Sequence, residues 1–352
     1  MHLYIRADAD GKIGAGHIMR CIALAQAWQD HGGKVTFLSH CESDALRERI
    51  SKEGFEFIYL EKVHPDPFDL YRTLSLLTTK TNKTNQTNKT NSTWLTLDGY
   101  HFTPDYQKAI RDVGIHLLVI DDMNHLPNYH ADILLNQNIH APDLKYNCDE
   151  DTTLLLGTQY VLLRREFLKY RDFKRQIPER VKNILVTLGG GDPDNVTLKV
   201  IEALKLLDEP DISVRIVVGP ANPHQETLYK AIAPAHFEAE LLINPPNMPE
   251  LMAWADLAVS GGGGTSLERC FMSLPSLVIT IAENQIEATC ELGVRGGIIY
   301  VGWHEDIIEE SLRSIVKSAL INNELIKNIS LMAKSIADGK GVDRILGKMF
   351  KN

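Results

Sequence analysis

Two stretches of the chain carry residue types and spacings suited to chemistry on an anionic substrate. The first is Arg6-Ala7-Asp8-Ala9-Asp10-Gly11-Lys12-Ile13-Gly14-Ala15-Gly16-His17-Ile18-Met19-Arg20. Gly14 and Gly16 lack a Cβ, so a bulky anion can approach the backbone there. His17 follows directly, and an imidazole can take a proton from water or an alcohol near neutral pH. The second is Gly261-Gly262-Gly263-Gly264-Thr265-Ser266-Leu267-Glu268-Arg269-Cys270. Four glycines leave the main chain bare, and the Thr265 and Ser266 hydroxyls can cap a helix or hold phosphate oxygens. Glu268 can favour a helix dipole or accept both hydroxyl hydrogens of a ribose. The first loop is not the dinucleotide fingerprint, because Met19 stands where the third glycine belongs. No Gly-Lys-Ser/Thr follows it, so it is not a Walker loop either.

Each loop needs a strand before it and a helix after it. Leu3–Ile5 supplies the first strand, and Ile18, Cys21, Ile22, Ala25 and Trp28 recur at helical spacing up to about His31. Strands are expected at 35–39, 55–60, 94–97, 117–120 and 132–135, with helices at 44–52 and 104–113. The strand at 94–97 ends in Asp98-Gly99-Tyr100-His101, and that at 117–120 in Asp121-Asp122. In open α/β sheets, ligands bind outside the carboxyl ends of the strands, which marks Asp98, Tyr100, Asp121 and Asp122. Asp8 is close enough in sequence to orient His17.

The same grammar restarts after the charged run 169–180, with a boundary expected at 178. A strand at 183–188 runs into Gly189-Gly190-Gly191-Asp192-Pro193, and a helix at 195–207 follows. Further strands are expected at 214–218, 257–260, 277–281 and 299–301, and a short helix at 250–255. Asn284 and Gln285 stand just past the strand at 277–281. The end of the chain from 307 is mostly helical, its last helix at 341–350 crossing back to the first domain. The expectation is an N-terminal domain 1–178 and a C-terminal domain 179–352.

From Thr78 to Thr93 the composition collapses to a three-residue repeat of Thr, Asn and usually Lys or Gln. With no apolar face it cannot offset the entropy of ordering, and it is expected as a peripheral solvated loop. The Asn-x-Thr triplets at Asn82, Asn85, Asn88 and Asn91 look like glycosylation sequons. The N-terminus lacks the basic and apolar regions of a signal peptide, which counts against glycosylation.

The charge of −9 speaks against nucleic acid or an anionic membrane surface as the main partner. No apolar run approaches the roughly 20 residues that span a bilayer. The five cysteines are scattered with no Cys-x-x-Cys pair, so neither a zinc site nor a disulfide framework is expected, and a reducing cytoplasm is the default.

Two halves of strand, glycine loop and helix suggest an α/β protein of two Rossmann-like domains facing across a cleft, the architecture of GT-B sugar transferases. The motifs Arg6-x-Asp8…Ile13-Gly14-x-Gly16-His17-x-x-Arg20, Asp98-Gly-Tyr100, Asp121-Asp122 and Asp132-Ile-Leu-Leu-Asn136 appear in order. Gly189-Gly190, Ser266-Leu-x-Glu268 and Glu283-Asn284-Gln285 follow. The ordered set resembles the PseG family of UDP-sugar hydrolases in pseudaminic acid biosynthesis, over nearly the whole chain. The resemblance implies hydrolysis of UDP-2,4-diacetamido-2,4,6-trideoxy-β-L-altropyranose to UDP and free sugar, without metal or cofactor. His17 matches the family's catalytic histidine, and Tyr100 and Asn284 match its site residues. Substrate-binding roles are expected for Arg6, Asp8, Gly14, Gly16, Arg20, Tyr100, Asp121, Asn284 and Gln285. UDP-binding roles are expected for Gly189, Gly190, Gly262, Gly263, Thr265, Ser266 and Glu268. The same motifs suit a GT-B transferase with another acceptor, or a nucleotide-sugar sensor that binds without turnover.

Overall fold

A computed structural model describes residues 1–11, 13–62, 65–81, 93–220 and 222–351, without the side chains of 79–81. Most of the Thr-Asn repeat, with its four sequons, lies outside the described residues. The chain divides into two compact units.

The first unit holds residues 1–165 and 340–352. Its elements are β1 (His2–Ala7), α1 (Gly16–Asp30), β2 (Lys34–Ser39), α2 (Asp44–Lys52), β3 (Glu56–Tyr59), α3 (Asp69–Thr81), β4 (Thr93–Asp98), α4 (Pro104–Asp112), β5 (His116–Ile120), β6 (Ile133–Asn136) and β7 (Thr153–Leu156). The seven strands are parallel, in the order β3-β2-β1-β4-β5-β6-β7. Strand residues alternate between two cores: Leu3, Ile5 and Ala7 enter one, while Tyr4 enters the other. Both faces are covered, which is why these strands read as continuous apolar runs. α1 buries Ile18, Cys21, Ile22, Ala25 and Trp28 against the first core. Ser43 caps α2 and Thr103 caps α4, each accepting a backbone N–H into its hydroxyl.

The second unit holds residues 166–339. After the short helix α5 (Arg165–Leu168) come β8 (Asn183–Thr187), α6 (Val196–Lys205), β9 (Ser213–Val218), α7 (Gln225–Ile232), β10 (Glu238–Ile243), α8 (Met248–Trp254), β11 (Leu257–Gly261), α9 (Thr265–Phe271), β12 (Ser276–Thr280), α10 (Ile286–Val294), β13 (Ile299–Trp303), α11 (Glu309–Ile321) and α12 (Asn323–Ile336). The six strands are again parallel, in the order β10-β9-β8-β11-β12-β13. Its core joins β8, β9, β11 and β12 to α6, α7 and α11.

The division falls at 165/166, ahead of the expected boundary at 178. The reason is visible at Arg175, whose guanidinium donates to the carbonyls of Met252, Ala255 and Met272 and latches the charged run onto the second unit. The far end of the chain also changes unit. Val342, Ile345, Leu346 and Met349 of α13 (Gly341–Met349) are buried in the core of α1, at roughly 1.5–3 kcal/mol per fully buried large apolar side chain.

Candidate active site

α1 begins at Gly16, and its N-cap Ala15 offers no side-chain cap. Gly14 turns the loop with φ +74° while its N–H donates to the Asp10 carbonyl at 3.0 Å. The N–H groups of Gly16, His17 and Ile18 have no acceptor among the described residues. A Cβ at Gly14 or Gly16 would meet nothing within 4 Å, so the space beside them is open.

Parallel pairing sets Ala7 of β1 beside Asp98 of β4, and α1 returns over that carboxyl end. His17 Nδ1 thereby lies 2.6 Å from Asp98 Oδ1. Arg20, one turn on, donates Nε to Asp98 Oδ2 and Nη2 to Asp98 Oδ1, both at 2.6 Å, and Nη1 to both oxygens of Asp122 at 2.8 Å. Tyr100 donates its hydroxyl to Asp122 Oδ2 at 2.9 Å, and Asn138 Nδ2 reaches Asp122 Oδ1 at 2.9 Å. The Tyr100 ring meets His17 edge-on, centroids 5.1 Å apart. The backbone of Tyr100 is held in turn by His125, whose Nε2 lies 2.7 Å from its carbonyl.

The electrostatics follow. Asp98 is fully buried, and burial alone would raise its pKa, but the charges and hydrogen bonds of Arg20 and His17 outweigh this and hold it well below the usual carboxylate range. Asp122 is lowered too, Arg20 again overcoming desolvation. An ionised Asp98 accepts the Nδ1 hydrogen and leaves Nε2 as the basic nitrogen. The His17 side chain keeps 11% exposure, and Nε2 has no partner among the described residues.

Other expected site residues of this unit are used differently. Arg6 is fully buried and donates to Asp8, which takes two of its nitrogens, and to Asp69 at 3.1 Å. Asp8 also accepts the His40 N–H at 2.8 Å. This pair fastens the ends of β1 and β2 to α3, and it is Asp98, not Asp8, that orients His17. Asp121 faces inward on the hydroxyls of Tyr129 and Tyr146, the N–H groups of Met123 and Asn124, and His125. It is the neighbouring Asp122 that faces Arg20 and Tyr100 beside His17. Asp98 and Asp122 are functional candidates that residue type alone does not separate from Asp121, and Asn138 joins them through Asp122. Gly99 is explained by close approach, since a Cβ there would come within 2.8 Å of the His101 ring.

In the second unit, β11 delivers the glycine loop to α9. Gly262 is packed so tightly that a Cβ would lie 2.3 Å from Thr289 Oγ1. The N–H groups of Gly263, Gly264 and Thr265 have no acceptor among the described residues. Glu268 sits half-buried in the first turn of α9, and Ser266 is buried. Gln285 does not point its oxygen outward: its Oε1 accepts from Gly262 N at 3.2 Å and Ile281 N at 3.1 Å, bracing the loop. Asn284 is exposed beside it. Gly189, with φ +102°, is exposed past β8, and Gly190 accepts the N–H of Gly219 at 3.0 Å. Asp192 caps α6 through Val196 N and Thr197 N, so that helix start is already satisfied. Among the described residues no group of three or more His, Cys, Asp and Glu is arranged to hold a metal ion. No described helix is long and apolar enough to cross a membrane.

Two parallel-sheet α/β units, each with a glycine loop at a strand's carboxyl end, define a protein of the GT-B class. Residues 183–339 match the glycosyltransferase family 28 C-terminal domain. The structure is similar to MurG of Acinetobacter baumannii, with a TM-score of 0.66 and 15% identity, covering 100% of this chain and 99% of that one. Within this class the chain is a relative of the UDP-2,4-diacetamido-2,4,6-trideoxy-β-L-altropyranose hydrolase of Campylobacter jejuni, 24% identical over 84% of this chain and 97% of that protein. It is also 27% identical to the uncharacterized protein MJ1062 of Methanocaldococcus jannaschii, over 82% of this chain but only 57% of that longer protein.

Proposed function

We propose that the protein hydrolyses UDP-2,4-diacetamido-2,4,6-trideoxy-β-L-altropyranose to UDP and the free sugar, as a cytoplasmic step of pseudaminic acid synthesis for flagellin or another surface glycan. The observation that carries the reading is the His17–Asp98 contact at 2.6 Å, which prepares Nε2 as a general base at the end of an open glycine loop. His17 takes a proton from water as its oxygen attacks the anomeric carbon. The bond from that carbon to the diphosphate oxygen breaks through an oxocarbenium-like transition state, and UDP carries away the electron pair. The UDP moiety is assigned to the second unit, its diphosphate to the unfilled N–H groups of Gly263, Gly264 and Thr265, its ribose to Glu268. Protein donors in a site closed to water can stabilise that leaving charge, and no metal or other cofactor is assigned a part. The relationship to the Campylobacter hydrolase supports the choice of water as acceptor.

The match at 183–339 favours a second reading, a transferase passing the sugar to a different acceptor. Incubation with the UDP-sugar alone, in EDTA, with UDP-N-acetylglucosamine as control, separates the two. Release of UDP and free sugar from the diacetamido substrate, lost by about 100-fold or more in His17→Asn, is expected. Tight UDP binding without release would move the assignment to a transferase lacking its acceptor, or to a sensor.

A further inference from the structure

Arg269 lies fully buried beneath the second glycine loop. Nη2 donates to the Gly261 carbonyl at 3.1 Å and to Ser266 Oγ at 3.0 Å, Nη1 to Thr265 Oγ1 at 3.2 Å, and Nε to Ser276 Oγ at 3.2 Å. Every one of these acceptors is neutral. A buried cation without an anionic partner is strongly unfavourable. Burial accordingly pulls the guanidinium down to about 10, against the opposing effects of the neighbouring Cys270 and Glu268. Such a residue is costly to the fold unless something else compensates it.

The direction of the hydrogen bonds shows what is missing. A guanidinium only donates, so the Thr265 and Ser266 oxygens act as acceptors and their own hydrogens remain. Neither hydroxyl hydrogen has an acceptor among the described residues. Ser276 differs, because its hydroxyl donates to the Leu274 carbonyl at 2.9 Å. The loop thus gathers two hydroxyl hydrogens, the N–H groups of Gly263, Gly264 and Thr265, and a buried positive charge. All of these are satisfied by an anion.

We propose that Arg269 is the positioning residue for the nucleotide's diphosphate: by holding the Thr265 and Ser266 hydroxyls as acceptors, with their own hydrogens left to donate, over a buried charge, it makes the loop selective for a nucleoside diphosphate over the monophosphate or the nucleoside. The proposal rests on the reading of this loop as the UDP site. Arg269 acts through the loop and touches no substrate atom.

The test is calorimetric titration of the full chain with UDP, UMP and uridine. Wild type, Arg269→Met, Arg269→Lys, Thr265→Val and Ser266→Ala are compared, with thermal melts to establish folding. Arg269→Met is expected to weaken UDP by about 10- to 100-fold, UMP by less, and uridine by under about two-fold. Arg269→Lys should recover part of the UDP affinity, since it restores the charge. Thr265→Val and Ser266→Ala, which leave the buried cation in place, should each lower UDP affinity and leave uridine unchanged. UDP affinity in folded Arg269→Met within about two-fold of wild type would overturn the proposal, as would an equal loss for all three ligands. If Arg269→Met does not fold, unchanged UDP binding by both hydroxyl variants overturns it. A wild-type protein that binds no UDP at all removes the UDP site itself, which is a different failure.

Discussion

His17 Nδ1 and Asp98 Oδ1, on different elements and far apart in sequence, meet at 2.6 Å, while Asp8 turns its carboxylate to Arg6. The contact works because Asp98 is buried and kept ionised by Arg20, so the imidazole is held in one tautomer with Nε2 toward solvent. Replacing Asp98 by Asn keeps the shape and removes the charge. The expected result is a fall in kcat by about 100-fold to 10,000-fold with KM changed little, provided the thermal melt shows a folded protein. A kcat near wild type would mean that His17 does not depend on this carboxylate.

Acid stability gives a second test of the same cluster. The folded-state pKa values of Asp98 and Asp122 lie below their unfolded values, Arg20 overcoming desolvation in each case. Such groups stabilise the fold above the unfolded carboxylate pKa of about 3.9, and that contribution is lost as pH falls through the folded value. Wild type should therefore lose stability steeply below about pH 4, and Asp122→Asn, less stable at neutral pH, should lose it less steeply. Parallel urea curves between pH 6 and pH 3 decide it: identical pH slopes for the two proteins would show that Asp122 is not held ionised by the fold.

Arg6 separates a structural role from a substrate role. Its guanidinium is spent on Asp8 and Asp69, both buried. Arg6→Met would leave two buried carboxylates without their cation, a loss of about 3–5 kcal/mol in the first unit. Chemical denaturation should show the first unit's transition moved to lower denaturant. A variant of unchanged stability with a raised KM would return Arg6 to the substrate.

How much of this was legible in the sequence depends on where the information lies. The strands that run through the two sheets read clearly, because central parallel strands are apolar on both faces, and the expected helix at 44–52 matches α2 (Asp44–Lys52). Strands β7 and β10 and helices α3, α5, α7 and α10 have no counterpart among the expected elements. β7 and β10 are edge strands, and the half-exposed Glu-Ala-Glu-Leu-Leu-Ile of β10 carries little apolar signal. At the site, strand-end position singles out Asp98, Asp121 and Asp122 together. What distinguishes them is the neighbour each one faces: His17 and Arg20 for Asp98, Arg20 and Tyr100 for Asp122, Tyr129 and Tyr146 for Asp121. Those partners come from other strands and loops, and no local pattern encodes them. Gln285 is a similar case, since its service to Gly262 depends on the two loops meeting in space.

The bond that breaks can be read directly. Water attacking the anomeric carbon leaves the oxygen that bridged it to the β-phosphorus with UDP, whereas attack at phosphorus would transfer the solvent oxygen to UDP. Turnover in oxygen-18 water should therefore give unlabelled UDP by mass spectrometry, and label in UDP would exclude the mechanism assigned to His17.

Gly262 offers the last test, on the second loop. Its backbone N–H is held by Gln285 Oε1 at 3.2 Å, and the position where a Cβ would stand lies 2.3 Å from Thr289 Oγ1 and 3.1 Å from Gln285 Cβ. Thr289 is buried near the start of α10, so neither it nor the loop can yield cheaply. Overpacking of this kind costs about 1–3 kcal/mol. Gly262→Ala should lower stability by that order and weaken UDP binding as the loop shifts. Removing the hydroxyl with Thr289→Ala relieves the shorter contact and leaves the one to Gln285 Cβ. The double variant should accordingly regain part of both losses, a coupling that a double-mutant cycle measures. Strictly additive effects in that cycle would show that the glycine is not required by its packing against α10.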